Sequence, residues 1–332
     1  MKQAQIILFI GKGGVGKTTC SVTTALHLAD MGSKVLLVSL DPAHNAGDAL
    51  DIPLSASKKA ITPTFDALEI DLEHLIKRYL EQTAATMRHT YRHLTVFNLE
   101  KMFDVIRYSP GIEEHATLEA VKEILFQDAA RYDAIIFDTA PTGLTLRVLA
   151  LPSVSLAWVE KLSGIRKQIL GLRSSIAHIH GEQFLRMNGQ DEPLASAEND
   201  DATMQELRQY HQDMQRVRSL LTNPNFTSVA AVLNPEDMPL FETIRAADTL
   251  NKFQIPLKIV LMNKCLQFDH APQEFEQKLR KQQEILAKIR QAFPQQQHLE
   301  LPMQAENPRG LELLRRFSRR PAEFFHALLY GE

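Results

Sequence analysis

Cysteine is nearly absent: Cys20 and Cys265 are the only two in 332 residues. Two distant thiols exclude a disulfide framework and a zinc or iron–sulfur ligand set, and they suit a reducing compartment, so a cytoplasmic location is expected. A dominant charge sign is also missing, with 37 lysines and arginines against 40 aspartates and glutamates. There is therefore no global basic field of the kind that draws a chain to nucleic acid, and no nucleic-acid partner is expected. Long hydrophobic runs are missing too. The N-terminal stretch Ile6 to Ile10 runs straight into glycines and Lys12, unlike a signal peptide, and no later stretch approaches the roughly 18 to 20 apolar residues of a membrane span. An integral membrane protein is not expected.

What the chain does have is apolar material for a large core, at 44% hydrophobic and 23% charged residues. Short continuous apolar runs recur at Gln5 to Ile10, Lys34 to Leu40, Ala134 to Phe137, Ser228 to Leu233 and Leu257 to Met262, with Leu299 to Leu301 weaker. Continuous rather than alternating runs imply strands covered on both faces, and helical periodicity lies between them. The expected fold is α/β: a doubly wound, mostly parallel sheet in a single domain over residues 1–332. Two intervals, about 72–130 and 153–225, are too long for single crossovers and read as insertions forming a helical subdomain. The polar, acidic stretch at about 188–202 reads as a mobile loop.

Residues 11–18, GKGGVGKT, satisfy the G-x-x-x-x-G-K-[ST] pattern after an apolar strand and before a helix, the context of a phosphate-binding loop in a P-loop NTPase. Gly11, Gly13, Gly14 and Gly16 let backbone N–H groups turn toward phosphate oxygens. The helix N-terminus adds partial positive charge, Lys17 neutralises the β and γ phosphates, and the Thr18 hydroxyl suits magnesium. Lys12, Val15 and Thr19 belong to the same ATP-binding stretch.

Two aspartates end neighbouring apolar runs, where open α/β sheets bind ligands. Asp138, in DTAPTG, is placed to hold magnesium through water. Asp41, in DPAHN, is placed to orient or deprotonate the water that attacks the γ-phosphate, with Asn45 beside it in the ATP-binding set. Either aspartate alone could merely cap the next helix.

Together these phrases resemble the deviant phosphate-loop ATPases, whose K-G-G-x-x-G-K-[ST] motif carries a signature lysine that Lys12 matches. Within that class, DPAHN and DTAPTG look like the two switches of the arsenite-pump and tail-anchored-protein targeting ATPases. PGIEE (110–114), PEDMPLFETIR (235–245), MNK (262–264) and LPMQAENPRGL (301–311) resemble later segments of that family in the same order. The resemblance implies a magnesium-dependent ATPase working as a homodimer, with ATP and Mg²⁺ bound. It makes Lys12, with Lys17 and Asp41, a catalytic residue reaching across the dimer to the partner's phosphates. It makes Asp41 the hydrolytic aspartate and Asn263 the amide that reads adenine. Pro302 begins the loop over that base, and Glu236 and Glu242 lie near the nucleotide at the interface.

Departures narrow the reading. Soft metalloids need converging thiolates, which Cys20 and Cys265 do not offer, and the zinc-binding C-x-x-C pair of eukaryotic targeting members is absent. Residues 155–179 carry an apolar stripe at Leu156, Val159, Leu162, Ile165, Ile169, Leu172 and Ile176, which either packs in its own core or forms a groove for an apolar client helix such as that of a tail-anchored membrane protein. The alternatives are an ATPase subunit driving arsenite or anion efflux with a membrane-transport partner, and a switch that positions itself on a membrane or protein array. The basic, amphipathic C-terminal stretch raises the second, although Pro321 interrupts it and a helix packed on the sheet is expected. His89 and His93 share a helical face, read as solvated.

Overall fold

The computed structural model describes residues 3–41, 45–90, 109–180, 184–187, 190–193, 195–268 and 273–317. Side chains at 84–90, 180, 184–187 and 190–193 are not described. His93, residues 42–44 of the first switch phrase and the C-terminal stretch beyond 317 lie outside the described residues. Contacts divide the chain into two units, one of residues 1–71, 123–149 and 220–332, the other of 72–122 and 150–219.

The first unit is built on an eight-stranded sheet. Its elements in chain order are β1 (Gln5–Ile10), α1 (Lys17–Asp30), β2 (Val35–Ser39), α2 (Asn45–Leu50), β3 (Lys59–Thr62) and β4 (Phe65–Glu69). After α3 (Leu72–Thr90) and α4 (Ile112–Asp128), which belong wholly or mostly to the second unit, comes β5 (Ala134–Asp138). The order across the sheet is β10-β9-β8-β1-β5-β2-β4-β3, where β8 is Thr227–Leu233, β9 Leu257–Cys265 and β10 Gln297–Pro302. All pairings are parallel except β3 with β4.

The buried strands are those with continuous apolar runs: β2, β5 and β8 are buried at every position and β1 from Ile6 onward. Odd-numbered β1 residues Ile7 and Phe9 join Val22 and Leu26 of α1 in one core layer. On the other face, Leu233, Val260 and Met262 pack with Leu240 of α7 (Asp237–Lys252) and with Ile285, Leu286 and Ile289 of α8 (Glu276–Ala292). The chain leaves β1 over α1 toward β2, yet β5 later inserts between them and the next sheet strand, β8, lies on the far side of β1. Adjacent strands whose connections diverge open a crevice at their carboxyl ends.

The second unit is mostly helical. It contains α3, most of α4, the part of α5 (Thr142–His180) beyond residue 149, an antiparallel hairpin of β6 (Phe184–Met187) and β7 (Gln190–Pro193), and most of α6 (Ala202–Thr222). Strand pairing at 190–193 therefore occupies part of the stretch read from composition as a loop. Ile76 and Leu80 of α3 pack on Ala116 of α4. Helix α5 runs 39 residues through Pro152, past the point where the sequence reading began its second insertion. One window within Thr142–Ile179 is long and apolar enough to cross a membrane by length and composition, with 39% of it buried. The sequence reading above, which counted unbroken apolar residues, did not single out this window. Here a few charges are spread along a long helix, and surface or core helices of non-membrane proteins pass the same test.

Candidate active site

Of the four glycines in the loop between β1 and α1, Gly11, Gly14 and Gly16 have positive φ, and two are dictated by close approach. A Cβ on Gly11, at φ +153°, would lie 2.3 Å from the Val232 carbonyl oxygen of β8, and one on Gly16, at φ +96°, would lie 2.3 Å from Nδ2 of Asn263. Helix α1 begins at Lys17 with no side-chain cap, so its first-turn N–H groups are left for a ligand. The Lys17 ammonium, almost fully buried, folds back and donates to the Lys12 carbonyl at 3.3 Å. Burial holds its pKa below the usual lysine value, while the Asp138 and Asp41 carboxylates oppose that shift. The side chain of Val15 packs into the core, leaving its backbone to the ligand side.

Beyond the loop, the ends of the neighbouring strands β2 and β5 stand in register, with Ser39 opposite Asp138. Asp138 is fully buried, and its carboxylate oxygens lie near the Thr18 and Ser21 hydroxyls without a hydrogen bond of good geometry. Burial pushes its pKa up to about 6, and Asp41 adds to the rise, against the nearby Thr18 and Ser21 hydroxyls and the Lys17 ammonium. Thr139, next in the chain, donates its hydroxyl to the Phe9 carbonyl at 2.6 Å and ties the second switch phrase to β1. On the β2 side, Asn45 at the start of α2 donates to Asp41 at 3.4 Å. A buried carboxylate poorly satisfied by its own chain, beside a threonine hydroxyl and a lysine, suits a hydrated magnesium ion. Among the described residues there is no cluster of three or more histidine, cysteine or acidic side chains for a softer metal.

A cleft of about 640 Å³ opens over these groups. Gly13, Gly14, Gly16, Lys17, Thr18, Thr19, Asp41, Asn45, Asn263 and Pro302 all line it, as does the segment 303–309. Gly11, Lys12 and Val15 belong to the loop but do not line the cleft, and two more expected nucleotide residues sit elsewhere. Glu236 precedes α7 on a second cavity of about 690 Å³ that shares Lys264 and Met303 with the cleft. Glu242, on α7, pairs with Lys12 at 3.2 Å. Asn263 is buried, donating its amide to the Val15 carbonyl at 2.7 Å, and its neighbour Lys264 donates to the Gly14 carbonyl at 2.9 Å. Lys264 was not foreseen as a site residue; it lay within the MNK phrase, but nothing in the phrase told which way it would point. Glu69, buried at the end of β4, was missed as well and accepts the Gly47 N–H of α2 at 2.9 Å.

With this geometry in place, a family model described as anion-transporting ATPase matches residues 4–321. The chain belongs to that family. It is an ATPase. The chain is 30% identical to putative arsenical pump-driving ATPase 2 of Aquifex aeolicus, an alignment covering 95% of this chain and 98% of the relative. It is 30% identical to an ATPase ASNA1 homolog of Entamoeba histolytica (93% and 91% covered) and 29% identical to the ATPase get3 of Pyrenophora tritici-repentis (93% and 88%). The resemblance drawn from the sequence phrases thus extends over nearly the whole of this ATPase.

Proposed function

We propose that this ATPase is a cytoplasmic, nucleotide-gated homodimer whose helical unit shields an apolar client helix, such as the anchor of a tail-anchored membrane protein. The observation that carries the client half is the exposed face of α5. Val154, Trp158, Leu162, Ile165, Ile169, Leu172, Ile176 and Ile179 follow one another by three or four residues, and all are exposed, Trp158 by 63%, Leu172 by 66% and Ile179 by 75%. Leu156 and Val159, counted in the same stripe from sequence, turn inward and are buried. From Val154 to Ile179 the helix rises roughly 38 Å, enough to lie along the roughly 30 Å apolar length of a membrane-spanning helix. Such a surface on one chain is an aggregation liability unless something covers it on a schedule.

In the chemical half, Lys17 neutralises the β and γ phosphates of its own nucleotide and Lys12 does so for its partner's. Asp41, steadied by Asn45, orients the attacking water. Thr18, with Asp138 through water, would hold magnesium, which when bound stabilises charge on the phosphates. Asn263 keeps its amide oxygen for the adenine amino group, under the loop that begins at Pro302. Glu236 and Glu242 meet the nucleotide across the interface, where the exposed Met238 and Phe241 of α7 supply apolar area for a second copy. Metalloid efflux draws no support from the thiols, because both cysteines are buried and burial pushes each up to about 12.

Trp158 is the only tryptophan in the chain and so reports on the stripe. A leucine-rich 20-residue helix on a soluble carrier, titrated into the Asp41→Asn variant, is expected to shift its emission to the blue when ATP and magnesium are present. Tight ATP binding with no shift at any peptide concentration would remove the client reading and leave the ATPase intact.

A further inference from the structure

Strand β9 carries two irregularities, one against β8 at Lys258 and one against β10 that sits at the phosphate loop. Met262 pairs with Glu300 of β10 and Cys265 with Pro302, so two residues of β9, Asn263 and Lys264, face a single residue of β10. This bulge puts Lys264 at φ +57°, a left-handed conformation that a residue with a Cβ adopts only at a cost. Successive side chains on a strand point to opposite faces. Here the bulge brings two neighbours to the same loop, where Lys264 takes the Gly14 carbonyl at 2.9 Å and Asn263 the Val15 carbonyl at 2.7 Å. A trans peptide is planar with its C=O and N–H opposed. Drawing the Gly14 carbonyl toward Lys264 therefore aims the Val15 N–H the other way, and drawing the Val15 carbonyl toward Asn263 does the same for the Gly16 N–H. Those N–H groups belong to the anion cradle of the loop.

We infer that Lys264 is a positioning residue for ATP hydrolysis: it pins the back of the Gly14–Val15 peptide so that the phosphate cradle is formed before nucleotide arrives. A flexible, glycine-rich loop would otherwise pay its ordering entropy on binding. Lys264 lines the cleft but spends its ammonium on the Gly14 carbonyl, so its loss raises KM while leaving kcat nearly unchanged. The KM arm rests on the nucleotide site proposed above; loop exchange in nucleotide-free protein reads the pinning itself, whatever the loop binds.

The test is amide hydrogen exchange over residues 11–17 without nucleotide, alongside steady-state ATP hydrolysis. In Lys264→Met, exchange and KM each rise about tenfold while kcat stays within about twofold, the scale of one lost charge-assisted hydrogen bond. Lys264→Arg restores both. Lys264→Gly keeps the bulge without the amine and must behave as the methionine variant does, which guards against a folding defect. Unchanged exchange in Lys264→Met overturns the inference. So does a raised KM with unchanged exchange, which would make Lys264 a direct ligand contact, and so does wild-type exchange in Lys264→Gly, which would make backbone strain the cause.

Discussion

The Lys12 ammonium lies 3.2 Å from the Glu242 carboxylate of its own chain, both groups partly open to solvent. A pair this exposed contributes about 0–1 kcal/mol, so a triphosphate on a second chain can draw Lys12 away at little cost. If Lys12 acts in trans and Lys17 in cis, each single alanine variant should be inactive, yet a mixture should not. A mixed dimer of Lys12→Ala and Lys17→Ala holds one intact site, built from Lys17 of the first and Lys12 of the second. Equal mixing followed by subunit exchange should restore roughly a quarter of wild-type turnover, since half of the dimers carry one of two sites. No recovery, in variants that still form dimers, would place both lysines on the same nucleotide.

Asp138 sets a pH dependence of opposite sign to that of an ordinary paired carboxylate. Its folded pKa, about 6, lies well above the ordinary aspartate value near 3.8, so between these values the native chain holds a proton that the unfolded chain gives up. Stability attributable to this group is present below about pH 4 and is lost as pH rises through 6, by roughly 3 kcal/mol in all. Urea unfolding in a chelator without nucleotide should show Asp138→Asn more stable than wild type at pH 8 and little different at pH 4. The same variant should lose magnesium-dependent hydrolysis. Parallel stability profiles for the two proteins across that range would mean that the carboxylate is not strained by burial.

The sheet was legible where strands were covered on both faces. Gln5 to Ile10 and Ser228 to Leu233 stand within a residue of β1 and β8 because unbroken apolar runs leave no other use for their side chains. β3 and β4 were not read, since KAIT and FDALE are short and carry charge, and β3 is an edge strand. Strand β7, QDEP, hid in polar sequence: its pairing with β6 is backbone to backbone and asks little of composition. In the α5 stripe, periodicity showed that one face is apolar but not which residues a neighbour covers. Leu156 and Leu172 look alike in sequence, yet one is buried and the other exposed. At the site, the loop glycines and strand-ending aspartates announced themselves, whereas Lys264 and Glu69 depend on a bulge and a buried carboxylate that no local pattern encodes.

Glu69 holds α2, the helix that begins with Asn45. Its carboxylate is almost fully buried at the end of β4 and accepts the Gly47 N–H at 2.9 Å. Removing it in Glu69→Ala orphans a buried donor, at about 1–3 kcal/mol. It also frees α2 to shift, so kcat should fall about tenfold through Asn45 and Asp41, with KM for ATP changed less. Glu69→Gln keeps an oxygen acceptor and should recover most of kcat. Equal activity in the alanine variant would detach α2 from the chemistry.

In the helical unit, Asp201 anchors α5 to α6. It accepts the Arg166 guanidinium through Nε at 3.0 Å and Nη2 at 2.6 Å, and it caps α6 by accepting the Met204 N–H at 2.9 Å. Burial alone would raise its pKa, but Arg166, the Met204 N–H and Arg173 more than offset this, and the net shift is downward. A depressed folded pKa means stability that is present above the unfolded value and is lost as pH falls through the folded one. Asp201→Ala removes the bidentate partner of Arg166 and uncaps the helix, costing about 1–3 kcal/mol at neutral pH. Hydrogen exchange across the first turn of α6 should accelerate accordingly at pH 7, and the gap from wild type should narrow toward pH 3. Because the pair fixes one face of α5 against α6, the same variant should weaken client-helix binding while ATP turnover persists. Loss of both together would tie this anchor to the nucleotide site rather than to the exposed apolar face.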